Sequence, residues 1–178
     1  MGVQLIFVVE TNRKCNSDWI YIKDTVDHFY SYEQTELKFT PIYMDGKGNY
    51  LKKEKEVKSK IKQYKVGSKK NNSKVLYCFD CDESNTKQED ALFLKKVENF
   101  CKEEGYEFVW FCKDIECVYI GNKVDDSQKK IVATNFKARK SIQYIDKKNL
   151  LGGEYQNKKS NILEILNQYS ELIPKDLS

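Results

Sequence analysis

Carboxylates are the residues of this chain best placed to do chemistry, and its 178 residues include one histidine, His28. His28 lies beside Phe29 in an amphipathic stretch, so serine–histidine or cysteine–histidine nucleophilic chemistry has no evident base. Three acids stand out. Glu10 closes the apolar run Leu5-Ile6-Phe7-Val8-Val9, and Asp80 closes a second run, Val75-Leu76-Tyr77-Cys78-Phe79. Asp82 follows Asp80 by two residues, which in extended chain points both side chains the same way. If the two runs are neighbouring strands, the three acids converge. Crowded carboxylates repel, and each takes up a proton unless a cation offsets the charge. Mg²⁺, or Mn²⁺ in its place, suits such a site because it takes hard oxygen ligands and needs one or two carboxylates beside its waters. It would polarise a phosphodiester oxygen and activate a water for attack. The bland alternative is that acids at strand ends merely cap helices. A D-x-D pair alone is a weak signal, and the matching Glu10 strengthens it.

The elements that must position these acids follow from periodicity. Residues 5–9, 37–44, 75–79 and 108–111 read as strands, with Pro41 favouring an edge position or a strand irregularity in the second. Helical spacing marks about 18–32 (Trp19, Ile22, Val26, Phe29), with Asn16 or Ser17 as cap, then 51–64 (Val57, Ile61, Tyr64) and 88–104 (Leu92, Leu94, Val97, Phe100). Gly105 reads as a helix stop. Asp45-Gly46-Lys47-Gly48-Asn49 reads as a turn, residues 123–158 as short helices and loops, and 159–172 as a final helix. Strand and helix alternate through the first 122 residues. This predicts an α/β fold with a mostly parallel four-stranded sheet flanked by helices and strand C-terminal ends gathered on one rim. Residues 1–122 then form the core. Residues 123–178 form a basic, helical C-terminal extension of the same domain.

Composition sets the class. The length suits one domain, and 40% apolar content can fill its core. No apolar run is long enough to span a membrane, and the N-terminus reads as a strand rather than a signal peptide, so a cytoplasmic location is expected. Six cysteines in that setting are expected as free thiols. Cys78 and Cys81 form a C-x-x-C, but in a strand they face opposite sides, which argues against zinc. The net charge of +4 is modest, yet ten lysines fall between residues 52 and 74 against Glu54 and Glu56 alone. A second basic stretch covers residues 129–148. Such segregation suits a polyanion such as nucleic acid, or equally a solvated helix face. Trp19 and Trp110 fit core positions. Tyr119, Tyr144 and Tyr155 are candidates for base stacking, although partial burial at the surface explains them as well.

A strand ending in Glu, a later strand ending in D-x-D and crossover helices between them resemble the TOPRIM domain of topoisomerases, bacterial primases, OLD-type nucleases and RloB-like phage-defence proteins. Pro41-Ile42-Tyr43-Met44-Asp45-Gly46-Lys47-Gly48-Asn49 is similar to the second strand and G-K-x-N turn of the OLD-like and RloB-like group. Asp114-Ile115-Glu116-Cys117-Val118-Tyr119-Ile120 resembles their D-I-E segment after the fourth strand. The likeness spans residues 3–122. It implies a TOPRIM-like, Rossmann-like fold and a Mg²⁺- or Mn²⁺-dependent nuclease acting on DNA or RNA in bacterial anti-phage defence. In that reading Glu10, Asp80 and Asp82 are the catalytic and metal-binding residues. Glu116 completes a second metal position, and Lys47 contacts phosphate. Thr11 departs from the glycine that usually follows the TOPRIM glutamate. No G-x-x-x-x-G-K-[ST] motif is present, so any ATPase motor would be a separate protein. These departures suit an alternative: a non-catalytic module docking on a partner ATPase or nucleic acid. A receiver-like phosphoryl-transfer domain fits less well, because only Glu10, rather than an acidic pair, follows the first strand.

Overall fold

The computed structural model describes residues 2–176. Along the chain, β1 (Val3–Val9) leads to α1 (Ser17–Phe29), β2 (Tyr30–Ser31), β3 (Leu37–Tyr43), α2 (Tyr50–Gly67) and β4 (Asn72–Asp80). Then follow α3 (Gln88–Glu104), β5 (Glu107–Phe111), α4 (Ile115–Tyr119), α5 (Lys129–Ala138), α6 (Ile162–Leu166) and β6 (Ile173–Pro174). The main sheet has the order β3-β1-β4-β5, and every pair in it is parallel. β1 is buried along its whole length, as its unbroken apolar run requires of a strand covered on both faces. Pro41 lies in β3, which is an edge strand, where a missing N–H interrupts no outer ladder.

Alternate residues of the strands feed two cores. Leu5, Phe7, Leu76, Cys78, Val109 and Phe111 pack with α1 and the C-terminal elements. Ile6, Val8, Tyr77, Phe79, Cys81 and Trp110 pack with α2 and α3. Cys78 and Cys81 thus fall in different cores, and all six thiols are free. Gly105 ends α3 at φ +69°, a left-handed conformation that glycine adopts without strain.

The C-terminal region departs from expectation. The helix expected over 159–172 is only Ile162–Leu166, because the residues before it are used elsewhere. Ser160 forms a bridge with Phe111, and Asn161 bonds β5 through both ends of its amide. Ile162, Leu163, Ile165 and Leu166 are all buried, so this segment plugs the core and leaves Glu164 as the exposed residue of the short helix. β6 pairs antiparallel with β2 at the far end of α1. Among the described residues no helix is long and apolar enough to cross a membrane.

Candidate metal centre

After β1 the chain turns to β3 on one side of the sheet, then crosses back to β4 on the other. The C-terminal ends of β1 and β4 therefore flank the switch in strand order, where open α/β sheets form their ligand crevices. Glu10 and Asp80 stand at those two ends. The Asp80 backbone N–H donates to Glu10 Oε1 at 2.9 Å, and Asp80 Oδ1 accepts from the Ile115 N–H at 2.9 Å. A cleft of about 370 Å³ opens here, lined by Glu10, Asp18, Asp45, Asp80, Asp126 and Lys129 among others. The turn after β3 closes one side: the Gly46 N–H donates to the Glu10 carbonyl at 2.9 Å. Gly46 sits at φ +107°, a conformation that side chains rarely adopt, which explains glycine at this point of the turn.

Two of the acids here come from elements that periodicity did not mark as functional. Asp18, in the first turn of α1, is buried, and its Oδ2 accepts from the Thr11 N–H at 3.0 Å. Glu116, in α4, is fully buried, and neither of its oxygens has a hydrogen-bond partner. Asp114 caps α4 by accepting from the Cys117 N–H at 2.6 Å, which fixes where Glu116 emerges. Lys129, the first residue of α5, places its Nζ 3.8 Å from Glu116 Oε2.

The electrostatics follow from burial. Burial, then the charges of Asp18 and Asp82, push the Glu10 carboxyl up to about 8, against the pull of the Asp80 N–H and Lys47. Burial and the Glu10 charge hold Asp80 well above the usual carboxylate range. Burial raises Asp18 as well, and it carries Glu116 to about 7 despite the opposing Lys129. Burial works against the Lys129 ammonium, but Glu116, Asp80, Asp126 and Asp18 together hold it above its ordinary value.

Asp82 does not join this group as the D-x-D spacing predicts. β4 ends at Asp80, and Asp82 sits at φ +47°, so the alternation of an extended strand stops before it. Its N–H donates to the Lys113 carbonyl, and its carboxylate pairs with Lys47, which also reaches Asp90 at 3.4 Å. Asp82 lines the adjoining cleft with Glu83, Asp90 and Lys113, although its charge still reaches Glu10. Lys47 is therefore engaged by carboxylates. Tyr119 is buried with its hydroxyl 2.6 Å from Thr25 Oγ1, which removes it from base stacking. Tyr155 packs edge-on to Trp110, while Tyr144 is exposed.

Among the described residues no three His, Cys, Asp or Glu side chains already surround one point as a metal cage. The donor set still fits a hard divalent cation. Its acids offer hard carboxylate oxygens beside Thr11, Asn12 and Cys15, and the buried Glu116 carboxylate, without a hydrogen-bond partner, faces Lys129 at 3.8 Å. Mg²⁺ keeps several waters and so does not need a complete protein cage. Compared with known protein families, curated proteins and solved structures, the chain finds no match.

Proposed function

We propose that this protein is a TOPRIM-type, metal-dependent phosphodiesterase that cuts DNA or RNA, in bacterial anti-phage defence as the sequence resemblance implies. The observation that carries the reading is the meeting of Glu10 and Asp80 at the β1/β4 switch point, with Glu116 buried nearby without a hydrogen-bond partner. Glu10, Asp80, Asp18 and Glu116 would hold Mg²⁺ or Mn²⁺, with Asp82 at the margin. When bound, the metal would polarise the phosphodiester and lower the pKa of a water. Glu10 would act as a metal ligand or, with the metal held by the other acids, as the base that takes a proton from an attacking water and returns it to the leaving oxygen. Asp80 orients Glu10 through its N–H, and Lys129 offsets the negative charge of the cleft.

A second reading, a module that docks on nucleic acid or a partner ATPase without cutting, draws on Asp82, whose carboxylate is committed to Lys47. The two separate in one assay. Plasmid DNA and a structured RNA are incubated with wild type and Asp80→Asn, with Mg²⁺, Mn²⁺ or EDTA. The nuclease reading expects metal-dependent cleavage by wild type and a loss of at least about 100-fold in the variant. Metal binding without cleavage of either substrate would favour the docking module.

A further inference from the structure

The cleft uses the acids of this chain and leaves most of its lysines without a task. α2 carries seven of them. Tyr50 and Val57 turn inward, while Lys52, Lys55, Lys58, Lys62 and Lys65 are exposed at successive helical spacings and form one outer row. Both acids of α2 are already engaged. Glu56 pairs with Lys53 at 3.4 Å, and Glu54 accepts from Lys58 at 2.7 Å and from Tyr106 at 2.9 Å. Lys52 bonds only the amide of Asn49, and Lys55, Lys62 and Lys65 take no ion pair among the described residues. A shallow groove of about 620 Å³ runs over Lys52, Lys55, Lys58 and Lys62 with Leu51, Glu54 and Ser59.

The row begins beside the turn that lines the cleft. α2 starts four residues after Gly46, whose N–H holds the Glu10 carbonyl. From Lys52 to Lys65 it extends roughly 20 Å at helical rise.

We propose that the outer face of α2 is the docking surface for the phosphate backbone of a nucleic-acid duplex, laid along the helix with one end at the cleft. The choice of nucleic acid rests on the phosphodiesterase reading. A row of about this length faces many phosphates, since a duplex carries one charge per roughly 1.7 Å of axis. A single strand would call for stacking aromatics, yet the tyrosines of α2 are buried or half-buried. A membrane-surface helix would need a continuous apolar face. On α2 the exposed large apolar side chains are Leu51 and Val66, at opposite ends.

The test measures binding of a short labelled DNA duplex by fluorescence anisotropy in EDTA, where cleavage is off, from about 50 to about 200 mM KCl. The row-neutral variant is Lys52→Gln/Lys55→Gln/Lys62→Gln/Lys65→Gln. Its controls are the matching four Lys→Arg changes and the distant Lys137→Gln/Lys140→Gln/Lys147→Gln/Lys148→Gln. The row-neutral protein is expected to bind at least about tenfold more weakly at low salt, with a log–log salt slope shallower by about 3 to 4. The arginine variant should bind as wild type, and the distant variant should keep the wild-type slope to within about 1. Equal losses in the two glutamine variants, or no loss in the row-neutral one, would overturn the proposal. So would tighter binding to phosphatidylserine vesicles than to duplex. Because no metal is present, failure here leaves the metal centre untouched, and an absence of metal-dependent cleavage by wild type with docking intact removes only the catalytic reading.

Discussion

Lys129 faces Glu116, Asp80, Asp126 and Asp18 from the start of α5 and is the cation that makes this much buried negative charge tolerable. Removing one partner of a buried pair costs more than the pair contributes, because the remaining charge is left uncompensated. Lys129 keeps 20% of its side chain exposed, which moderates the effect. Lys129→Gln is expected to destabilise the metal-free protein by about 1–3 kcal/mol near pH 8. The loss should shrink below pH about 7, where Glu116 takes up a proton, and also on adding Mg²⁺. Urea unfolding at two pH values checks both. A loss that grows in acid would contradict this role. Glu10 and Asp80 were legible in the sequence because each closes a buried strand, and Glu116 because of the D-I-E resemblance. Asp18 and Lys129 were not, since only the packing of α5 on α1 brings them together at the cleft. Asp82 was misplaced because the period of two holds only while the strand continues.

At the scale of elements, β5 is an edge strand whose outer backbone groups need partners. Asn161 supplies them: its Oδ1 accepts from the Trp110 N–H and its Nδ2 donates to the Phe108 carbonyl, both at 2.9 Å. Ser160 and Lys159 add backbone contacts to Phe111 and Cys112. The C-terminal extension therefore seals the sheet. Asn161→Ala should cost about 2–4 kcal/mol by leaving a donor and an acceptor unpaired in a buried place, read as a lower urea midpoint with an unchanged slope. An unchanged midpoint would show that the edge is sealed by other means. The strands were readable as apolar runs buried on both faces, and the long helices from the periodicity of one buried face. The segment 159–172 was not, because its helix is cut short where Ser160 and Asn161 serve β5.

For the whole molecule, the raised carboxyls link protons, metal and stability. Glu10 holds its proton to about 8 when folded, against 4.5 ordinarily, and Glu116 to about 7. Between those limits the folded state binds more protons than the unfolded chain, so the metal-free fold loses stability as pH rises. A divalent cation takes the place of those protons, so its affinity must rise over the same window. The fold class was readable from the order of strands and helices. The pairing of β1 with β4, on which the centre depends, was an inference that the sheet order bears out. The most direct measurement is a calorimetric Mg²⁺ titration of wild type and Asp80→Asn at about pH 8.5 and about pH 6, chosen to bracket the raised carboxyls of Glu10 and Glu116. The account predicts saturable binding at the higher pH, at least about tenfold weaker binding at the lower, and none in the variant. Absence of binding by wild type at the higher pH, or equal binding by Asp80→Asn, would contradict a metal centre at the β1/β4 switch point.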